Sequence, residues 1–200
     1  MCPGAFDQRG NPDRFIGSNN KLPLNSRDDV LTFQTEELDM DMEVTGPIKV
    51  KLWISSSAKD TDFTVKLIDL FPSTEEYIDG LAINITDSIM RTRFRNRWAK
   101  EQLMETGTPY LIEFHLFQTT NIFKAGHRIR IDVSSSNWPR FDVNNNTGGK
   151  IGVDKSYISA EQTVYHNQIM PSSIVLPIQP SRHLLLPDPS MGHIGSPTGI

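Results

Sequence analysis

From Val30 onward the chain alternates apolar and polar side chains with a period of two, the spacing of a strand with one buried face. Ile48, Val50, Leu52 and Ile54 fall on one side of a predicted strand, with Lys49, Lys51 and Trp53 on the other. Val30 to Phe33 reads as a short strand, and Leu38 to Val44 sets Met40, Met42 and Val44 against Asp39, Asp41 and Glu43. Phe63, Val65 and Leu67 begin another strand that ends at Phe71-Pro72, and Ser73 to Gly80 is a polar loop. Ile83 and Ile85 come next, followed by a strand from Ser88 to Arg95 with Arg91, Arg93 and Arg95 on one face. Trp98 to Glu105 is predicted to make one or two helical turns. Tyr110, Ile112, Phe114 and Leu116 alternate again, and Gln162 to His166 and Ser173 to Ile178 are the last strand candidates.

The remaining stretch, Gly126 to Gly149, organises the chain. It starts as a strand with Ile129, Ile131 and Val133 facing one way and Arg128, Arg130 and Asp132 the other. Trp138-Pro139 then breaks the ladder, because proline has no N–H to donate. Arg140-Phe141-Asp142 leads into Asn144 to Gly149, which are turn residues that tolerate positive φ. A strand that delivers Trp, Arg and Asp into a polar loop presents a surface, here expected to meet another protein domain.

These are about ten short strands punctuated by turn signals, the pattern of an all-β antiparallel sandwich or jelly roll. Parallel α/β architecture would need helical crossovers, and none are predicted. Residues 1–29 read as an irregular lead-in or linker, 30–180 as the jelly-roll domain and 181–200 as a tail. Cys2 is the sole cysteine of 200 residues, which excludes a disulfide framework and a multi-cysteine zinc site. A formal net charge of −4 argues against nucleic acid or an anionic membrane as the main partner. There is no apolar run of spanning length and no signal-peptide layout, so a cytoplasmic location is the expectation.

Motifs spread over residues 2–180 carry a resemblance. They are Cys2 to Arg9, Arg27-Asp28-Asp29-Val30-Leu31, Leu38 to Pro47 and Ser55 to Ala58 with Asp60 to Phe63. They continue through Thr86-Asp87, Met90-Arg91 and Arg93, then Asn121 to Arg130, and close with Ser134 to Asn137 through Gly148. In these the chain resembles the C-terminal domain of the X-Pro dipeptidyl-peptidase and cocaine-esterase-type acyl esterase family of serine hydrolases. The resemblance implies a jelly-roll accessory domain of the galactose-binding type, following an α/β-hydrolase domain with a helical cap. It places the catalytic Ser-Asp-His triad upstream of this segment and makes the catalytic domain of the same parent chain the expected partner, with a homodimer left open. The Gly10 to Asn25 stretch is longer than expected between the two early motifs, and the tail after Pro180 also departs from the pattern.

The chemistry-bearing residues agree with an accessory role. A hydrolase serine needs the G-x-S-x-G elbow to expose its Oγ beside an oxyanion hole. The nearest stretch, Gly195-Ser196-Pro197-Thr198-Gly199, has the wrong spacing, and nothing selects a triad from the five histidines. No catalytic residue, cofactor or metal site is therefore expected. Asp60 and Asp62 offer oxygen ligands of the kind calcium takes, but a turn whose carboxylates cap backbone N–H groups or pair with Arg128 or Arg130 is preferred. Arg91, Arg93 and Arg95 are expected on a solvated or carboxylate-paired face, and Asp39, Asp41 and Glu43 on a solvated edge. Asp60, Asp62, Phe63, Arg128, Trp138, Arg140, Phe141 and Asp142 are the predicted interface or pocket-wall residues, with Arg140 facing a carboxylate of the partner domain. The alternative is a carbohydrate-binding module in which Trp53, Trp138 and Phe141 stack on sugar rings.

Overall fold

The computed structural model describes Gln8, residues 23–138 and residues 140–180. Among these described residues ten strands run β1 Val30–Gln34, β2 Met42–Gly46, β3 Lys49–Ser56, β4 Asp62–Phe71, β5 Leu81–Arg91, β6 Tyr110–His115, β7 Thr119–Phe123, β8 Arg128–Ser134, β9 Gln162–Tyr165 and β10 Ser173–Val175. All pairings between strands are antiparallel. The pairs β1·β8, β2·β7, β3·β6 and β4·β5 are nested, as if one long hairpin had been rolled up, which is jelly-roll connectivity. One sheet has the order β1-β8-β4-β5. In the other, β3 lies between β6 and the short strands β9 and β10, and β2 and β7 form a separate ribbon.

The core lies between the sheets and is built from the predicted inward positions. Val50, Leu52 and Ile54 of β3 and Ile112 and Phe114 of β6 meet Phe63, Val65 and Leu67 of β4 and Ile129 and Val133 of β8. Val44 and Phe123 from the ribbon close one end. Burying such a side chain is worth about 1.5–3 kcal/mol, so this alternation is sufficient to select the sandwich.

Several elements differ from the sequence prediction. The strand ending at Arg95 stops at Arg91 and tightens into a 3₁₀ turn over Thr92–Phe94. The cause is Asp60, whose carboxylate accepts from the Arg93 backbone N–H at 3.0 Å and from the Thr92 hydroxyl at 3.2 Å. Trp98 to Glu105 forms no helix. Its amides bond outward, Gln102 N–H to the Arg93 carbonyl at 2.7 Å and Met104 N–H to the Lys59 carbonyl at 2.8 Å. Strand β7 was not predicted, and β2 begins only at Met42. On β8 both faces are buried, because Arg130 and Asp132 lie under cover on the side predicted to be exposed. Gln8 and the 3₁₀ turn Leu24–Ser26 fall within the predicted lead-in, while the tail lies outside the described residues.

Candidate docking surface

The outer face of the four-stranded sheet carries a row of polar side chains in exact register. Thr32 on β1 pairs with Asp132 on β8, Asp132 with Lys66 on β4, and Lys66 with Asp87 on β5. A cation flanked by two carboxylates is the favourable order for adjacent strands. Asp132 also receives Arg130, with Nε at 3.0 Å and Nη2 at 3.1 Å. Lys66 Nζ donates to Gln8 Oε1 at 3.0 Å. Burial pushes the Lys66 ammonium below the ordinary lysine range against the pull of Asp132 and Asp87. Burial likewise raises the Asp132 carboxyl despite Arg130. The row is an interior polar network on a face that a lone domain would leave wet.

The loop after β8 closes over one end of this row. Asn137 is buried and donates Nδ2 to Asp87 Oδ2 at 2.9 Å, and its carbonyl accepts from Arg140 N–H at 3.0 Å. Arg140 Nε lies 2.7 Å from Asp87 Oδ1, and its guanidinium sits over the rings of Phe117 and Phe141, 5.5 and 5.6 Å from their centroids. Arg140 therefore finds its carboxylate within this domain, where the sequence predicted a partner's. Trp138 stands 48% exposed beside this clamp, Phe141 is half-buried and Asp142 is exposed.

Arg91 and Arg93 of the arginine row form three ion pairs. Arg93 places Nε 2.8 Å from Asp60, both side chains being buried, and reaches Glu101 at 3.2 Å and the Gly149 carbonyl at 3.0 Å. Arg91 binds Asp62 with two parallel contacts of 2.9 Å. Asn144 Nδ2 bridges Asp60 and Asp62 at 2.9 and 2.8 Å, which ties the turn after Asp142 to the start of β4. The expected pairing with Arg128 or Arg130 is replaced by Arg91 and Arg93, because β5 and not β8 continues past this end of β4. Arg128 instead meets Glu36 and Glu37, each at 3.1 Å. Asp60, Asp62 and Phe63 are buried within the domain and present no side-chain surface to a neighbour. Arg128, Trp138, Arg140, Phe141 and Asp142 keep some exposure.

A groove of about 510 Å³ runs alongside. Its walls are Ser88 to Met90 of β5 and Glu113 to His115 of β6, with Trp98, Phe117 and Phe141 at the rim. β5 ends the first sheet and β6 ends the second, so both walls are strand edges. The edges meet where Phe117 N–H approaches the Asp87 carbonyl at 3.4 Å and the Thr86 hydroxyl donates to the Phe117 carbonyl at 2.7 Å. Beyond that point they part. Trp98 is 75% and Phe117 54% exposed.

Among the described residues one histidine is hydrogen-bonded to a buried carboxylate, His127 Nδ1 to Asp69 Oδ1 at 2.8 Å. No serine hydroxyl there bonds a histidine, so this pair has no third member. Sequence reasoning missed Lys66, Asp87, Asn137 and Asn144. For Lys66 the sequence carried no signal, since alternation with Val65 and Leu67 puts it on the face expected to be solvated.

Residues 5–175 match the model of the X-Pro dipeptidyl-peptidase C-terminal non-catalytic domain. The chain belongs to that family. It is 43% identical over 164 residues to cocaine esterase of Rhodococcus sp. (strain MB1 Bresler), a match covering 81% of this chain and 28% of that protein. In structure it is similar to an α-amino acid ester hydrolase labelled with selenomethionine, with a TM-score of 0.72 and 32% identity over 78% of this chain and 26% of the other. An aminopeptidase from a marine sediment Thaumarchaeota archaeon gives the same TM-score of 0.72 at 30% identity, again over 78% of this chain and 26% of the other. The chain thus spans little more than a quarter of the length of these relatives.

Proposed function

We propose that this domain is the accessory part of a serine hydrolase that cleaves an ester or amide bond, and that it packs on the α/β-hydrolase catalytic domain and cap of its parent chain. The observation that carries this reading is the match of residues 5–175 to a domain described as C-terminal and non-catalytic. The names of the relatives, an esterase, an ester hydrolase and an aminopeptidase, support that reaction class. The domain's work is mechanical. It buttresses the catalytic and cap domains, completes the outer wall of the acyl pocket and supports assembly. A rigid support suits that task, and the buried ion pairs at Asp60 and Asp62 hold the loop after Asp142 to the sheet. The sugar-binding alternative loses its platform, because Trp53 lies on β3 of one sheet while Trp138 and Phe141 follow β8 of the other.

Hydrolysis assays test the reading. The 200-residue chain is incubated with p-nitrophenyl esters, Xaa-Pro chromogenic substrates and a serine-reactive fluorophosphonate, beside the longer reading frame that contains it. The chain alone is expected to show no turnover and no labelled serine, and the longer protein one labelled serine upstream of Met1. Stoichiometric labelling of a serine within the chain, with turnover lost on its mutation, would sink the proposal.

A further inference from the structure

The groove between β5 and β6 is bordered by a basic, aromatic segment. Arg95, Arg97 and Lys100 lie beside Trp98 in a chain whose formal charge is −4. None of the three cations meets a carboxylate among the described residues. Arg95 donates to the carbonyls of Thr92 at 3.0 Å and Leu103 at 3.4 Å and stacks over Tyr110 at 4.3 Å, contacts that leave its charge uncompensated. Two acids beside the groove are already engaged. Glu113 binds Lys49 at 3.0 Å and Lys51 at 3.3 Å, and Glu101 binds Arg93 at 3.2 Å. The groove is therefore positive at its rim, apolar at Phe117 and Phe141, and walled by two strand edges that part beyond the Asp87–Phe117 contact.

We propose that this groove receives an extended, acidic segment of the catalytic domain, which lays its main chain along the β5 or β6 edge and sets its carboxylates against Arg97 and Lys100. Open edges select a polypeptide, because an added strand satisfies their unpaired N–H and C=O groups as no lipid or nucleotide can. The cations select acidic residues, and the exposed rings of Trp98 and Phe117 supply the apolar anchor that docking requires. This assignment rests on the accessory-domain reading and names the face and the chemistry by which the domain docks.

Hydrogen exchange reads the groove directly. Amides of residues 88–90 and 113–115 are compared in the 200-residue chain and in the longer protein that contains it. They are expected to exchange at least tenfold more slowly in the longer protein. Arg97→Glu should remove most of that protection, while Arg97→Lys retains it. In the isolated chain Arg97→Glu should leave the melting temperature unchanged, because the side chain meets no partner among the described residues. Protection of another face with the groove left open overturns the assignment and leaves the accessory reading standing. Slow exchange in the isolated chain that grows with its concentration makes a second copy the occupant and also overturns it. A longer protein in which fluorophosphonate labels no serine overturns the accessory reading, and this assignment with it.

Discussion

Arg93 and Asp60 have almost no contact with solvent, at 3% and 0% side-chain exposure. Water cannot take over if either is lost. Removing one partner of such a pair costs about 3–5 kcal/mol, since the other is left charged and buried. Asp60→Ala is expected to fall in that range by urea unfolding. Glu101→Ala, which touches the same guanidinium from a side chain 57% exposed, should cost no more than about 1 kcal/mol. Equal effects would mean that burial is not what makes the Asp60 pair matter. Asp62 tests the same balance by pH. Burial raises its carboxyl above the ordinary value of 3.8, outweighing Arg91 and Asn144. The folded state then holds that proton more tightly than the unfolded one. The contribution is fully present below pH 3.8 and is lost as pH rises through the raised folded value. The stability of the native chain relative to Asp62→Asn should therefore improve on acidification from pH 7 toward pH 4. A decline over that interval would show that the Arg91 ion pair wins over desolvation.

At the level of elements, the β4–β5 hairpin turns through Gly80, whose φ is +64° and whose notional Cβ would lie 2.3 Å from the Phe71 carbonyl oxygen. Gly107 has a similar φ of +75° but open space around it. Gly107→Ala should cost only the left-handed penalty of about 1–2 kcal/mol, while Gly80→Ala should cost more because backbone must move. Chemical denaturation of both variants checks the difference, and equal losses would refute the steric account. The strands themselves were largely legible. β3, β4, β6 and β8 announce themselves by alternation, because one face of each meets the core. β7 did not, since Thr119-Thr120-Asn121 has no apolar period and its place depends on pairing with β2. Residues 98–105 carry helix-forming side chains, but bonds to Arg93 and Lys59 override local preference. The site was legible by residue type and not by partner. The sequence leads to Asp60 and Asp62 as carboxylates that cap backbone N–H groups or pair with Arg128 or Arg130. Asp60 does cap the Arg93 N–H, yet the pairing cations are Arg91 and Arg93, about thirty residues away across a hairpin whose register the sequence does not state.

At the scale of the whole molecule, Arg140 and Trp138 separate what holds this domain together from what, on the proposed reading, joins it to another. Arg140 is half-committed to its own fold, reaching Asp87, whose side chain is 1% exposed, from a position itself 41% exposed. Asn137 still donates to Asp87 when the arginine is gone, so Arg140→Ala should cost about 1–2 kcal/mol and cost it in the isolated chain. Trp138 is 48% exposed, and its ring lies outside the core cluster. In the isolated chain Trp138→Ala should change stability by no more than about 0.5 kcal/mol. In the longer protein an anchoring ring is worth about 2–4 kcal/mol of docking, so the same substitution should lower the melting temperature and loosen substrate positioning there. The reactive serine should still titrate fully in both variants, since the accessory reading keeps both side chains away from the chemistry. Melting temperature in both contexts, active-site titration and kcat/KM together decide the matter. A Trp138→Ala protein with unchanged melting temperature and full titration, but kcat reduced a thousandfold, would put this loop in the reaction and end the accessory reading.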